Sequence, residues 1–229
     1  DLSIDDTLSK LLVQRGVSTF EEAKKFFRPS LEELHDPFLL KDMDLAVSRI
    51  EKAIASNENI LIYGDYDVDG TTSVSLVASY LKTITTRIST YIPDRYDEGY
   101  GISYQGIDFA ADNNFSLIIA LDCGIKAIDK VAYANKKKVD FIICDHHKPG
   151  PKIPKAVAVL NPKRVDCSYP YDELCGCGVG FKLVQALASK RGQTIEDLTQ
   201  YLDLVAIAIA ADIVPITGEN RVLTYFGLQ

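Results

Sequence analysis

The sequence predicts an α/β fold: a doubly wound, mainly parallel five-stranded sheet flanked by helices, with a small helical N-terminal arm and a helical C-terminal part. Three observations carry this. Five short apolar runs rich in β-branched residues (60–63, 87–92, 116–121, 139–144 and 156–160) alternate with segments of helical periodicity. Strands separated by helices in this way run parallel, joined by right-handed crossovers. Three of the runs end in acidic or imidazole residues, and ligands of open α/β sheets bind at the carboxyl ends of strands. At 229 residues and 47% hydrophobic content, the chain is also large enough to bury a substantial core.

Residues 1–43 read as a helical arm. Leu8 to Val13 is an apolar stretch ahead of Gly16. Ser18-Thr19-Phe20-Glu21 then reads as a capping box opening a helix that runs through Phe27 and is closed by Pro29. Residues 44–229 form the main domain. Its first helix, 44–56, places Leu45, Val47, Ile50 and Ile54 on one face. Strand 60–63 leads to helix 71–83, strand 87–92 to helix 104–112, and strand 116–121 to helix 125–137. Strands 139–144 and 156–160 complete the sheet. A loop rich in Pro, Gly and Cys spans 165–180, followed by helices 179–191 and 194–211. The second of these is apolar nearly all round after Leu202 and is expected to be buried. A further helix begins near Asn220.

Composition narrows the function classes. No apolar run is long enough to span a membrane. The chain shows no signal-peptide pattern and begins at Asp1 without a methionine, which reads as a fragment of a longer protein. Five cysteines, an odd number with no CxxC pair, point to a reducing, cytoplasmic setting. Cys175 and Cys177 with Cys167 make at most a partial zinc site, lacking a fourth ligand, and read better as small buried side chains. A net charge of −7 argues against a general nucleic-acid coat protein. It leaves room for a nuclease whose acidic residues gather around cations, since bound ions invert the local field.

The chemistry collects at strand ends. Asp65, Asp67 and Asp69 follow the first strand at every second position and repel one another unless a cation offsets them. Asp122 ends the third strand, and Asp145-His146-His147 ends the fourth. Asp and His donors without a thiolate at the tips suit Mn²⁺ or Mg²⁺ better than structural zinc. The Asp-x-Asp-x-Asp-Gly run matches the opening of a calcium-hand loop, but Leu76 stands where that loop needs Glu, and a strand rather than a helix precedes it. On a strand tip the two histidines are expected to point to opposite sides, one to metal and one to substrate, with Asp145 orienting an imidazole. Asp212, at the end of an apolar helix, is costly to bury unpaired. Metal ligation or a helix-end hydrogen bond would resolve that cost.

These residues resemble the four motifs of the DHH phosphoesterases: Asp65-Tyr66-Asp67-Val68-Asp69-Gly70, Asp122-Cys123-Gly124, Asp145-His146-His147 and Ala211-Asp212-Ile213-Val214-Pro215. His35-Asp36-Pro37-Phe38, Glu98-Gly99-Tyr100-Gly101, Asn161-Pro162-Lys163-Arg164 and Gly218-Glu219-Asn220-Arg221 resemble the RecJ branch in particular. The resemblance implies a metal-dependent 5′→3′ exonuclease that hydrolyses single-stranded DNA to 5′-mononucleotides in repair and recombination. It also implies two Mn²⁺ or Mg²⁺ ions held by Asp65, Asp67, Asp69, Asp122, His146 and Asp212, with Asp122 as the bridge. His147 would contact the scissile phosphate or its leaving group, supported by Asp145. Asp65, where other branches carry His, favours the RecJ branch. The branch carries a DHH-associated domain and often an OB domain after this region, which residues 1–229 do not contain. Single-strand-binding protein and a helicase are the implied partners.

Two cations roughly 3.5–4 Å apart can activate a bridging water and neutralise a phosphodiester during in-line displacement. The protein then supplies positioning and charge stabilisation. Arg95, Lys148, Lys152, Lys163, Arg164 and Arg221 are candidates to hold phosphates, and Tyr96 and Tyr100 to stack on bases. Two alternatives stand beside this reading. One is a phosphodiesterase for short oligonucleotides or cyclic dinucleotides. The other is an inactive replication scaffold, against which the full set of expected ligands speaks.

Overall fold

The computed structural model describes residues 5–229. Five parallel strands form one sheet: β1 (Asn59–Gly64), β2 (Ile88–Tyr91), β3 (Phe115–Leu121), β4 (Asp140–Cys144) and β5 (Ala158–Leu160), in the order β2-β1-β3-β4-β5. Strand order reverses between β1 and β3, so the crevice that such sheets offer to a ligand opens at the carboxyl ends of those two strands.

Helices cover both faces. Alternate residues of β1 and β3 (Ile60, Ile62, Leu117, Ile119, Leu121) point into the larger core. There they meet α3 (Met43–Ala55), α4 (Val68–Lys82), α7 (Gly176–Lys190) and α8 (Leu202–Ala211). The intervening residues, among them Leu61, Tyr63, Ile118 and Ala120, pack on α5 (Tyr104–Asp112) and α6 (Ile128–Lys136). Both faces of every central strand are buried, as continuous apolar strands of a parallel sheet require.

The N-terminal arm consists of α1 (Asp6–Gln14) and α2 (Phe20–Phe27). The capping box falls one residue later than expected: Thr19 accepts from the Glu22 amide, and Glu22 reaches back to Thr19. Leu40 and Met43 already belong to the main core, so the arm joins it without a gap. Its anchor is polar. Lys182, fully buried on α7, lies 2.6 Å from Glu219 at the start of α9 (Gly218–Gly227) and donates to the His35 carbonyl. Glu219 also accepts from the His35 amide and the Tyr169 hydroxyl. Burial lowers the Lys182 pKa, and Glu219 counters that effect. Removing one partner of a buried pair leaves a charge stranded in the interior, at about 3–5 kcal/mol. Lys182→Ala is therefore expected to lose stability of that order in urea unfolding; a loss under about 1 kcal/mol would contradict the role given to the pair.

The structure differs from the sequence reading at several helices: α7 begins at Gly176 rather than 179, and α6 at Ile128 rather than 125. Helix α4 starts at Val68 rather than 71, because Asp67 caps it by accepting from the Gly70 amide. The segment 194–211 is broken into a 3-10 stretch, Glu196–Tyr201, and α8. And α8 is not buried all round: Leu202, Val205, Ala208 and Ile209 face the core, while Ile207 lies half in solvent. No described helix is long and apolar enough to cross a membrane.

Candidate metal centre

Sheet register sets the site. Gly64 pairs with Leu121, Leu121 with Cys144 and Cys144 with Leu160, so the next residues, Asp65, Asp122 and Asp145, emerge side by side at one edge. Hydrogen bonding continues past the strand ends: the Asp122 amide donates to Cys144 and the Asp145 amide to Leu160. Asp122 then turns into the left-handed region, φ 57°, a conformation Asp tolerates better than most residues.

His146 is the point of convergence. Its Nε2 lies 3.3 Å from Asp122 Oδ1, 3.6 Å from Asp212 Oδ2 and 3.7 Å from Asp69 Oδ2. These carboxylates come from the β3 tip, the end of α8 and the first turn of α4. Asp69 is held from the far side by the start of α7, where its two oxygens accept from the Gly176 and Cys177 amides at 2.6 and 2.7 Å. A helix N-terminus favours a carboxylate there. The approach is possible because residue 176 is glycine: a Cβ would lie 2.5 Å from Asp122 Oδ1.

Electrostatics follow from burial. Asp122 is pushed up to about 10 by burial and then by the Asp69, Asp67 and Asp145 charges. Asp65 and Asp69 are raised as well, in each case mainly by burial. Burial lowers His146. Asp122 Oδ1, Asp65 Oδ2 and both ring nitrogens of His146 are buried without a hydrogen-bond partner among the described residues. Buried polar groups are rarely left this way, since desolvation without a partner is costly. Asp122 Oδ1 and His146 Nε2, 3.3 Å apart and both orphaned, fit ligands of a divalent cation, and the all-Asp/His set around them suits Mn²⁺ or Mg²⁺.

His147 occupies the solvent side. Its Nδ1–H donates to Asp145 Oδ1 at 2.7 Å, and its Nε2 meets the Tyr100 hydroxyl at 3.3 Å. Asp145 is itself held by the Ile125 amide. Burial would raise Asp145, but the His147 hydrogen bond and charge outweigh it and the carboxyl is lowered. His147 rises to about 9, first through the Asp145 hydrogen bond. Asp145→Asn is expected to bring the His147 pKa back toward 6.5 in an NMR titration of metal-free protein. A raised folded-state pKa stabilises below the unfolded value. The His147 contribution is therefore full below about pH 6.5 and lost as pH rises through about 9.

Of the six expected ligands, the structure draws Asp69, Asp122, His146 and Asp212 together. Asp65 sits buried at its strand tip with one free oxygen, and Asp67 is exposed at the α4 cap. The histidines do not point apart. Their rings lie 4.6 Å from each other, and both approach Asp122 Oδ1, because strand alternation stops at Cys144. Among the described residues, two groups have donor atoms close enough to hold a metal: Asp69, His146 and Asp212, and Asp122, His146 and His147.

The substrate candidates divide. Lys148 is exposed, and Lys163 lies 3.7 Å from Glu173. Arg95 covers the Tyr66 ring and Tyr96 stands free in solvent. Tyr100 is about half exposed and makes edge-to-face contacts with Tyr66 and His147. Arg164 drops out: it is buried, and its guanidinium is taken up by Asp42, Asp166 and the Val159 carbonyl. Arg221 lies against Phe26 of the arm. The Gly176 and Cys177 amides, and Asn161, which donates to the His147 carbonyl, were not among the expected site residues.

The profile of the DHH family, N-terminal domain, matches residues 59–209. The chain belongs to the DHH family. It is 42% identical over 228 residues to the single-stranded-DNA-specific exonuclease RecJ of Bacillus subtilis (strain 168), covering 100% of this chain and 28% of that protein. The crystal structure of exonuclease RecJ bound to manganese superposes with a TM-score of 0.77 at 30% identity, covering 87% of this chain and 49% of that one. RecJ from Thermus thermophilus in complex with Mn²⁺ gives 0.77 at 27% identity, covering 95% and 30%. This DHH chain thus spans well under half the length of the curated relative and of the Thermus structure.

Proposed function

We propose that the chain carries the catalytic centre of a metal-dependent exonuclease that hydrolyses single-stranded DNA in the 5′→3′ direction to 5′-mononucleotides. Residues 1–43 serve as its arm and 44–229 as its phosphoesterase unit. The observation that carries this is His146 Nε2 within 3.7 Å of three carboxylates from three separate elements. The likeness to the RecJ exonucleases supports the substrate.

Asp69, Asp122, His146 and Asp212 would hold Mn²⁺ or Mg²⁺, with Asp65 and Asp67 able to complete the coordination of two ions. Bound there, the ions acidify a water and neutralise charge developing on the phosphodiester. The chain's own groups do the rest. Asp145 accepts from His147 Nδ1–H and so fixes the ring's orientation, leaving Nε2 on the solvent side to meet the phosphate. Tyr100 holds that ring from the solvent side. Lys148 and Arg95 offer positive charge along the strand, and Tyr96 a face for a base. Five unpaired cysteines agree with a cytoplasmic setting. A single-strand-binding protein and a helicase, which expose such strands, are the partners this activity would work beside.

The test is Mn²⁺-dependent digestion of end-labelled single-stranded DNA beside a dinucleotide, with Asp122→Ala as control. Release of mononucleotides from the 5′ end supports the reading. Degradation of the dinucleotide alone would transfer it to short oligonucleotides, and undiminished cleavage by Asp122→Ala would sink the site.

A further inference from the structure

We propose that the cleft between the N-terminal arm and the start of α9 is a second ligand site, taking a phosphate-bearing anion of about nucleotide size. A cavity of about 640 Å³ lies there, within the range of small-molecule sites. None of the metal-centre carboxylates or histidines lines it.

Three cations (Arg15, Lys25, Arg221) and three carboxylates (Glu22, Glu33, Glu219) line this cavity, and Lys25 stands 3.9 Å from Glu33 while the buried Lys182 is paired with Glu219, which leaves the two arginines facing Glu22 alone. Arg15 and Arg221 both line it, and among the described residues neither guanidinium is paired with a carboxylate. Arg221 is held in place: its Nε donates to the Phe26 carbonyl at 2.7 Å and its guanidinium lies 3.5 Å from the Phe26 ring centre. That leaves its two terminal nitrogens without a partner among the described residues. The carboxylates on the wall are turned to other partners: Glu22 accepts from the Ser18 and Thr19 amides and keeps its charge, Glu33 meets Lys25 and the Ser30 amide, and Glu219 is matched by Lys182. Burial, and then the nearby Arg15 charge, hold the Arg221 pKa down. Two cations facing one space repel each other, and an oxyanion between them removes that cost.

Two further features agree with an anion. Thr217 makes no side-chain cap on α9, and the Gly218, Glu219 and Asn220 amides have no partner among the described hydrogen bonds. The positive end of that helix therefore adds to the arginine pair. Phe26, Pro29 and Ile216 supply an apolar wall for a sugar or base. The phosphate could belong to a free mononucleotide or to a strand, and the experiment separates the two.

Calorimetric titration of the 229-residue chain in EDTA removes any contribution from the metal centre. The probes are inorganic phosphate, thymidine 5′-monophosphate, and a thymidine tetranucleotide without terminal phosphates. Phosphate and at least one nucleotide are expected to bind, more weakly at high salt. Arg15→Gln should weaken binding about tenfold, the worth of one charge-assisted contact. Arg15 is exposed and makes no side-chain bond among the described residues, so this variant tests binding rather than folding. Arg221→Lys, which keeps charge but loses the stacked fork, should weaken it too. Asp122→Asn should leave it unchanged, which separates this site from the nuclease reading. Tighter monophosphate assigns the free nucleotide, and tighter tetranucleotide the strand. Absence of binding by all three probes would overturn the proposal. So would affinity indifferent to Arg15→Gln, or binding lost in Asp122→Asn.

Discussion

Asp122→Asn is expected to lower Mn²⁺-dependent cleavage by about a thousandfold while leaving the metal-free chain at least as stable as the parent. The carboxyl is buried and pushed up to about 10 by burial and three neighbouring aspartates, so in the metal-free chain it is already protonated at neutral pH and the amide replaces a neutral group of nearly the same shape. Asn also tolerates the left-handed backbone that Asp122 adopts. The two proteins should part when metal is added. A ligand at a hundredfold excess over its Kd stabilises by about 2.7 kcal/mol, which for a chain of this size is about 5–10 °C in Tm. The parent should show that shift in Mn²⁺ and the variant should not. Equal shifts would mean that the cation binds elsewhere.

Gly176→Ala is the second large effect, and sequence gives little warning of it. Ala is a better helix former than Gly, so propensity alone predicts a gain at the first position of α7. The structure predicts a loss. The new methyl would sit 2.5 Å from Asp122 Oδ1, with Asp122 pinned through its amide to Cys144 and Asp69 pinned to the amides of 176 and 177. Either α7 retreats and releases Asp69, or Asp122 leaves its place. Both outcomes dismantle the site, and overpacking of this kind costs about 1–3 kcal/mol. Cleavage should fall by about a hundredfold or more, with far-ultraviolet circular dichroism unchanged. Gly150→Ala, where the nearest atom would be 3.8 Å away, is the control and should behave as the parent. Activity retained in Gly176→Ala would show that the α7 contact does not position the carboxylates.

Strand tips are legible because their signal is local. An apolar run of fixed period ending in Asp or in Asp-His-His needs only neighbouring residues to be read. The rule that parallel sheets gather ligands at carboxyl ends does the rest. The same locality explains the misses. Helix α4 begins three residues earlier than periodicity indicated, because the Asp67 side chain caps it. Arg164 reads as a free cation beside Lys163, and only the approach of Asp42, 122 residues away in sequence, takes it into an internal ion pair.

The sequence by itself determined the order of strands and helices, the family, and a candidate set of acidic and imidazole residues, because these depend on short-range pattern and side-chain chemistry. The tertiary structure decided which carboxylates meet. Asp69 faces His146 because the first turn of α4 lies over the β4 tip and the start of α7, 107 residues later, supplies two amides to hold it there. Asp212 arrives from the end of α8 on the same side. Such convergence depends on sheet register and helix packing, which bring together residues that no local pattern connects.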